Sequence, residues 1–497
     1  MTSTGAPGLK AASLTAVLVG LGFLLGFGRD LLMARTFGAD SGTDAFLVAW
    51  MVPETAAPLL IEGAMAFLMV PLFSRAAELD DDVRHLISAT LPHMGVALLA
   101  LSLVTAAGAP WLVGLLAPGI ADPALAVGCM RFTSVTILMF GLAGYASAAL
   151  RANNVFGPPA TVTVAYNVGI VACVWCFHDL GVSAAAVGVA IGGLGMVLVQ
   201  APSFVRRLGL PRRPAARMLL PLGAFVPVAA FTLERQGQVF VERFVGSSLA
   251  EGSISHLNYA QKIAQVPMML SLVVATVSFP HLVRAITAGD VAAARRRLTD
   301  DLLAAAAIVL LATAVLVVCA PDIVRLLLQH GAFTDADTAA TAEIMRIYAL
   351  GLLGQAVVGV VCRVFFCGSR PSWFPAMAMI AGLAATIALA TPSAEAADIA
   401  AANAAGITLT AVILLAGLRG PAVGMPVREI AGPAVRLLVA AAVTAAAGWG
   451  TRSLLEGLPS AAALVLAVLA MAVTFCAVTA LTRTEEINRM IRIRGRS

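Results

Sequence analysis

Ionisable side chains inside long apolar stretches are costly in a lipid environment, and this chain carries several. Arg29 and Asp30 end the first apolar run, and Asp44, Glu54 and Glu62 interrupt the second. In the seventh and eighth runs stand Glu234, Arg235, Glu242, Arg243 and Lys262. A guanidinium can grip a phosphate through two parallel hydrogen bonds, and an intramembrane carboxylate can carry a proton or balance a cation. The bland alternative is that these groups only hold helices together in ion pairs. Neighbours on a helix point roughly 100° apart, so Arg29–Asp30 and Glu242–Arg243 are expected to find partners on other spans rather than each other. Concentration of charge in runs 1, 2, 7 and 8, with runs 5, 6, 9, 11, 12 and 14 almost free of it, points to a shared polar cavity. Arg35 is expected to snorkel to the outer interface.

No catalytic constellation accompanies these charges. The sequence has no HExxH, GxxxxGK[ST] or GxSxG motif, and His85, His93, His178, His256, His281 and His330 are scattered. Cys173 and Cys176 form a CxxC, but no second pair completes a metal site, and small packing residues on a helix explain them. The chain is expected to be no enzyme, to hold no cofactor or metal, and to draw on an ion gradient or the membrane potential.

Composition dictates what must position the charges. Of 497 residues, 60% are hydrophobic and 12% charged, and the mean hydropathy is +0.94. One or two soluble cores could not bury that much apolar surface. Runs of ~20 apolar residues recur, each enough to cross a bilayer as a helix. They are continuous rather than alternating, which excludes a barrel. Fourteen spans are expected, centred near Val19, Met51, Leu99, Phe140, Val168, Gly193, Ala230, Leu270, Ile308, Leu353, Ile380, Leu409, Ala441 and Val468, the second of them bent at Pro53. The first run leads into Arg29-Asp30 rather than a cleavage site, so no signal peptide is expected.

The net charge is +5, and the arginines fall in alternate loops, including the stretch from Arg206 to Arg217, Arg295 to Arg297, and a tail with Arg483, Arg489, Arg492, Arg494 and Arg496. The other loops hold Asp40, Asp122, Asp179, Glu251, Asp335 and Asp337. By the positive-inside rule the arginine loops and both termini are cytoplasmic. Without aromatic stacking platforms, the basic balance reads as membrane orientation and no nucleic-acid partner is expected.

An internal repeat is visible. Pro71 to Arg75 matches Pro280 to Arg284, Ala109-Pro110 matches Ala320-Pro321, Arg151 matches Arg363, and Val52-Pro53 matches Val266-Pro267, all at offsets of 209 to 214 residues. The offset spans an even number of helices, so the halves are parallel, as in transporters that carry substrate between two repeats. The expected plan is an N-terminal six-helix bundle (1–210), a C-terminal six-helix bundle (211–420), and two further helices with a basic tail (421–497).

Leu25-Gly-Phe-Gly-Arg29-Asp30, Ala34-Arg35-Thr-Phe-Gly38-Ala, Thr43-Asp44-Ala-Phe46, Val52-Pro53 and Glu62-Gly63-Ala64 with Val70-Pro71 resemble the MurJ/MviN family of the multidrug/oligosaccharidyl-lipid/polysaccharide exporter superfamily. Gly252-Ser253, Asn258-Tyr259-Ala260 and Gly331-Ala332-Phe333-Thr334 extend the resemblance over nearly the whole chain. It implies a MATE-like all-α fold and alternating-access translocation of a polyprenyl-pyrophosphate-linked saccharide, lipid II by default, for peptidoglycan and cell shape. It implies functional roles for Arg29, Asp30, Asp44 and Glu62; with Lys262 from the charge clustering these make the expected substrate site, and Glu54, Glu234, Arg235, Glu242 and Arg243 are expected to line the cavity or couple it to an ion. Partners would be the lipid-linked saccharide, the membrane and cell-wall synthesis enzymes, with a portal to lipid between spans 1 and 8.

Four positions depart from the family pattern, three of them family arginines. Phe23 and Ala57 stand where arginines are usual, and Tyr259-Ala260-Gln261-Lys262 replaces Tyr-Ala-Asp-Arg. Lys262 keeps a charge without the guanidinium fork. Span 11 offers neither acid nor amide for the family's sodium site, so sodium coupling is not expected. These changes leave open a flippase for another lipid-linked glycan or a non-transporting scaffold.

Overall fold

Backbone amides in lipid have no water to bond, so a chain this apolar must satisfy them within helices. The computed structural model describes residues 5–78, 83–211, 226–366, 372–419, 428–455 and 457–482, and among these every regular element is helical. In order they are α1 (Gly5–Phe37), α2 (Ser41–Ala57), a π-helical segment (Pro58–Gly63), α3 (Ala64–Glu78), α4 (Val83–Ala107), α5 (Ala109–Leu116), α6 (Pro123–Ala152), α7 (Gly157–Cys176), a short 3₁₀ turn (His178–Leu180), α8 (Ser183–Leu208), α9 (Val226–Gly246), α10 (Ser253–Thr287), α11 (Val291–Leu328), α12 (Asp335–Phe366), α13 (Phe374–Ala390), α14 (Ala396–Gly417), α15 (Arg428–Leu454) and α16 (Ser460–Leu481).

Each expected span centre falls inside one of these helices. Among the described residues, eleven helices are long and apolar enough to cross a membrane by length and composition. The apolar α13 has only 17 residues, short of the ~20 that cover a hydrocarbon core. In α9 the acids and arginines at 234, 235, 242 and 243 dilute its apolar character. Much of α10 has side chains outside the described set.

The chain divides into two units, Met1–Ser255 with Gly331–Phe333, and His256–His330 with Thr334–Ser497. In the first, α6 packs against α2, α3, α4 and α8, while α7 packs against α8 and α1. Its core joins Met33, Phe46, Met51, Val113, Met130, Phe140, Tyr166 and Val189. In the second, α12 packs against α11 and α14, α13 against α14, and α15 and α16 against each other and α11.

The pairs α7–α8 and α13–α14 close on glycine in the same way. A Cβ on Gly169 would stand 2.6 Å from the Gly192 Cα, and one on Gly382 would stand 2.6 Å from the Gly406 carbonyl. Gly169 and Gly382 are 213 residues apart, Gly192 and Gly406 214, near the offset of the sequence repeat. Small residues let backbones approach where lipid gives no hydrophobic drive to association. Leu99, Leu103 and Val104 of α4 and Val465, Leu469 and Val473 of α16 are exposed, as lipid-facing side chains would be.

α2 runs on through Pro53, where the bend is expected, and a π-helical segment follows at Pro58–Gly63. A proline deletes the amide that would bond the carbonyl four residues earlier. For Pro53 that carbonyl is Ala49, and the Thr133 hydroxyl of α6 donates to it at 2.9 Å. For Pro58 it is Glu54, and the Gln236 side-chain amide of α9 donates to it at 2.8 Å. For Pro321 in α11 it is Val317, and Arg346 Nε of α12 donates to it at 3.0 Å. Each of these three proline-freed acceptors is thus satisfied by a neighbouring helix, which lets a helix keep its proline inside a membrane.

Candidate functional site

Arg29 lies on α1 with its side chain 12% exposed. Its Nε and Nη2 both donate to Asp30 Oδ1, at 3.0 and 2.7 Å. This corrects the expectation that adjacent charges on a helix would not pair. The arginine stem is long enough to fold back so that two edges of its fork reach one oxygen. The third edge, Nη1, donates to Asn167 Oδ1 of α7 at 3.0 Å. Asn167 is itself fixed, its amide donating to the carbonyls of Gly22 and Thr163. The guanidinium carbon lies 4.6 Å from the Trp50 ring centroid of α2, a cation–π contact. Trp50 neighbours Phe46 and Tyr166, and Tyr166 stacks edge-on against Phe140.

A second pair lies beside the first. Arg243 Nη2 of α9 bonds Glu54 Oε2 of α2 at 2.5 Å, with Arg243 4% exposed. Here the partner is on another span, as expected. Glu54 is also near enough to Arg29 and Tyr166 to act on both electrostatically. Arg243 Nη1 and the Tyr166 hydroxyl are buried and meet no hydrogen-bond partner among the described residues. The structure therefore gathers Arg29, Asp30, Glu54 and Arg243 around an aromatic wall of Trp50 and Tyr166.

Asp44 is engaged differently. Its Oδ2 accepts from the Gly252 amide at 2.8 Å, and its Oδ1 accepts from the Ser255 amide and hydroxyl at 2.7 and 2.5 Å. A carboxylate on the first amides of α10 caps that helix and complements its dipole. Nearby, Asp40 caps α2 through the Thr43 amide. The loop after α11 closes on the end of α1, where the Ala332 amide donates to the Arg35 carbonyl at 2.9 Å. Gly38 and Gly331 both have positive φ, 71° and 66°. A Cβ on Gly38 would lie 2.8 Å from the Ala332 carbonyl, and one on Gly331 would overlap the Arg35 carbonyl. The three motif segments around Gly38, Gly252 and Gly331 thus meet at one end of the first unit.

The other expected positions lie as follows. Glu242 is buried on α9 beside Arg243. Lys262 is half-buried on α10, in the second unit. Arg35 is exposed at the end of α1. The side chains of Glu62, Glu234 and Arg235 lie outside the described residues, as do the 212–225 loop and the tail from 483. Cys173 is buried and Cys176 exposed on α7, both as free thiols. Asn167, Trp50, Tyr166 and Gln236 complete the cluster and were not singled out by sequence, where only ionisable residues drew attention. An asparagine in the otherwise apolar α7 was the available signal.

Charged, hydrogen-bonded groups gathered inside an apolar helical fold define a polytopic membrane transporter of the MATE-like class. The fold matches the solved lipid II flippase MurJ in an inward closed conformation, with a TM-score of 0.79 at 21% identity over 95% of this chain and 99% of that one. It also matches an inward-facing multidrug resistance MATE family transporter of the MOP superfamily, with a TM-score of 0.67 at 11% identity over 85% of this chain and 98% of that one. The chain belongs to the MurJ family: the family model described as lipid II flippase MurJ matches residues 33–469. Curated relatives include the lipid II flippase MurJ of Burkholderia cenocepacia, 28% identical over 71% of this chain and 72% of the relative, and a probable lipid II flippase MurJ of Rhizobium meliloti, 29% identical over 80% and 77%.

Proposed function

We propose that this chain carries lipid II across the bacterial cytoplasmic membrane by alternating access, with the Arg29 cluster engaging the diphosphate of the headgroup. Family membership supports the cargo, and one observation supports the site: a guanidinium held within an apolar helix by Asp30, Asn167 and Trp50. A fork already oriented by fixed neighbours loses little entropy when it trades a protein acceptor for a phosphate oxygen. Asp44 acts as a positioning residue, holding α2 to the start of α10 on the outer side. Lys262 adds a second, monodentate cation to the substrate path, and Glu62, Glu234, Arg235 and Glu242 complete the polar lining. Both termini lie in the cytoplasm, following the arginine loops, and cell-wall synthesis enzymes are its neighbours in the membrane.

The test is complementation. Expression in cells depleted of their own lipid II flippase should restore growth and shape. Failure to do so, with the protein present in the membrane, would reject lipid II as cargo and direct attention to another lipid-linked glycan.

A further inference from the structure

We propose that Tyr166 and Arg243 bind the diphosphate beside Arg29, the Tyr166 hydroxyl and Arg243 Nη1 each donating to one of its oxygens. This deepens the reading of the cluster as the diphosphate site and rests on it. Two buried donors without acceptors carry it. Tyr166 is 9% exposed and Arg243 3%, and neither the hydroxyl of the one nor Nη1 of the other meets a hydrogen-bond partner among the described residues. A buried tyrosine hydroxyl usually finds a partner, and a charged nitrogen left bare in an apolar site costs more still. Both donors belong to the same cluster. Tyr166 is near enough to Arg29, Glu54 and Asp30 to feel their charges, and Arg243 is bonded to Glu54.

Arg29 is already engaged before any ligand arrives. Its Nε and Nη2 donate to Asp30, and its Nη1 donates to Asn167. An oxygen that binds Arg29 displaces one of those acceptors, so the gain is the difference between two bonds. An oxygen that meets Arg243 Nη1 or the Tyr166 hydroxyl displaces no acceptor among the described residues, and it relieves a desolvation cost that folding has already met. A diphosphate also offers more non-bridging oxygens than one two-edged fork can cover. Both side chains are held in place. The Tyr166 ring lies 6.3 Å from Trp50 and 5.3 Å from Phe140 between centroids, edge-on to the latter. Arg243 is anchored through Nη2 on Glu54, and α9 is tied to the same stretch of α2 by the Gln236 bond to the Glu54 carbonyl. Little entropy is lost when donors fixed in this way take an acceptor. Arg29 on α1, Tyr166 on α7 and Arg243 on α9 then give the diphosphate donors from three helices, which alternating access uncovers.

The experiment is calorimetric titration of lipid II into the full chain in lipid nanodiscs, with thermal unfolding of the ligand-free protein beside it. Tyr166→Phe keeps the ring and removes only the hydroxyl. It should weaken binding by about three- to tenfold, the worth of one hydrogen bond. Its ligand-free form should unfold at the wild-type temperature or above, because an unpaired buried polar group has gone. A hydroxyl with a merely structural role would not give this opposition of sign. Arg243→Lys keeps a charge for Glu54 without the second arm, and should weaken binding by about tenfold or more. Wild-type affinity in Tyr166→Phe or in Arg243→Lys overturns the proposal. So does a lower unfolding temperature for ligand-free Tyr166→Phe, which would show the hydroxyl already bonded within the fold. Arg29→Ala separates the two claims: if it abolishes binding while the other two variants bind as wild type does, the site stands and the roles of Tyr166 and Arg243 fall. If wild type binds no lipid II at all, both fall. Tyr166→Phe decides the matter even if Arg243→Lys does not fold.

Discussion

The Asp44 carboxylate on α2 accepts the amide and the hydroxyl of Ser255 across 211 residues of sequence. It takes the Gly252 amide as well, so one acidic side chain serves as the cap of α10. Asp44→Ala should remove that cap and lower stability by roughly 1–2 kcal/mol, as lost helix caps do. Ser255→Ala should cost less, because the two backbone donors remain. Thermal unfolding in detergent measures both, and equal losses would show that the hydroxyl rather than the cap carries the effect.

Gly331→Ala should be more damaging than its small size suggests. The residue has positive φ, and its added methyl would run into the Arg35 carbonyl. Both effects oppose the same substitution, so a loss above about 1 kcal/mol is expected. Membrane yield and unfolding temperature report it. A neutral outcome would mean that the α1 end and the 331–333 loop can part freely.

The proline accounts can be tested by rescue. Thr133→Val leaves the Ala49 carbonyl without its donor and should destabilise by about 1–3 kcal/mol. In Pro53→Ala the helix regains its own amide at that point, so Pro53→Ala with Thr133→Val should be less damaging than Thr133→Val alone. Additive losses would show that Thr133 does not compensate for Pro53.

Helix positions were readable from hydropathy, since every expected centre lies in a helix, and the motif residues Arg29 and Asp30 lie in one cluster with Glu54 and Arg243. Partners were not readable. Pro53, Pro58 and Pro321 announce orphaned carbonyls in the sequence, but nothing there says that Thr133, Gln236 and Arg346 answer them, because those donors come from other helices. The Arg29–Asp30 pair was misjudged by treating side chains as fixed spokes, when an arginine stem can bend back along its own helix. Asn167 was missed because an uncharged amide in an apolar run carries no titration signature, although it orients the guanidinium.

Topology has a native probe. Cys176 is exposed at the end of α7 and Cys173 is buried three residues earlier. With the 206–217 arginine loop inside, a membrane-impermeant maleimide added to intact cells should label Cys176 and spare Cys173. It should also spare a cysteine introduced at 213. Labelling at 213 from outside would invert the assigned orientation.

The central claim is that Arg29 binds the diphosphate through its fork, and translocation of labelled lipid II by purified protein in liposomes tests it most directly. Arg29→Ala should abolish transport with the protein still folded and reconstituted. Arg29→Lys should restore only a minor fraction, since a point charge lacks the two-edged geometry. Transport by Arg29→Ala at the wild-type rate, or full activity with lysine, would contradict the account.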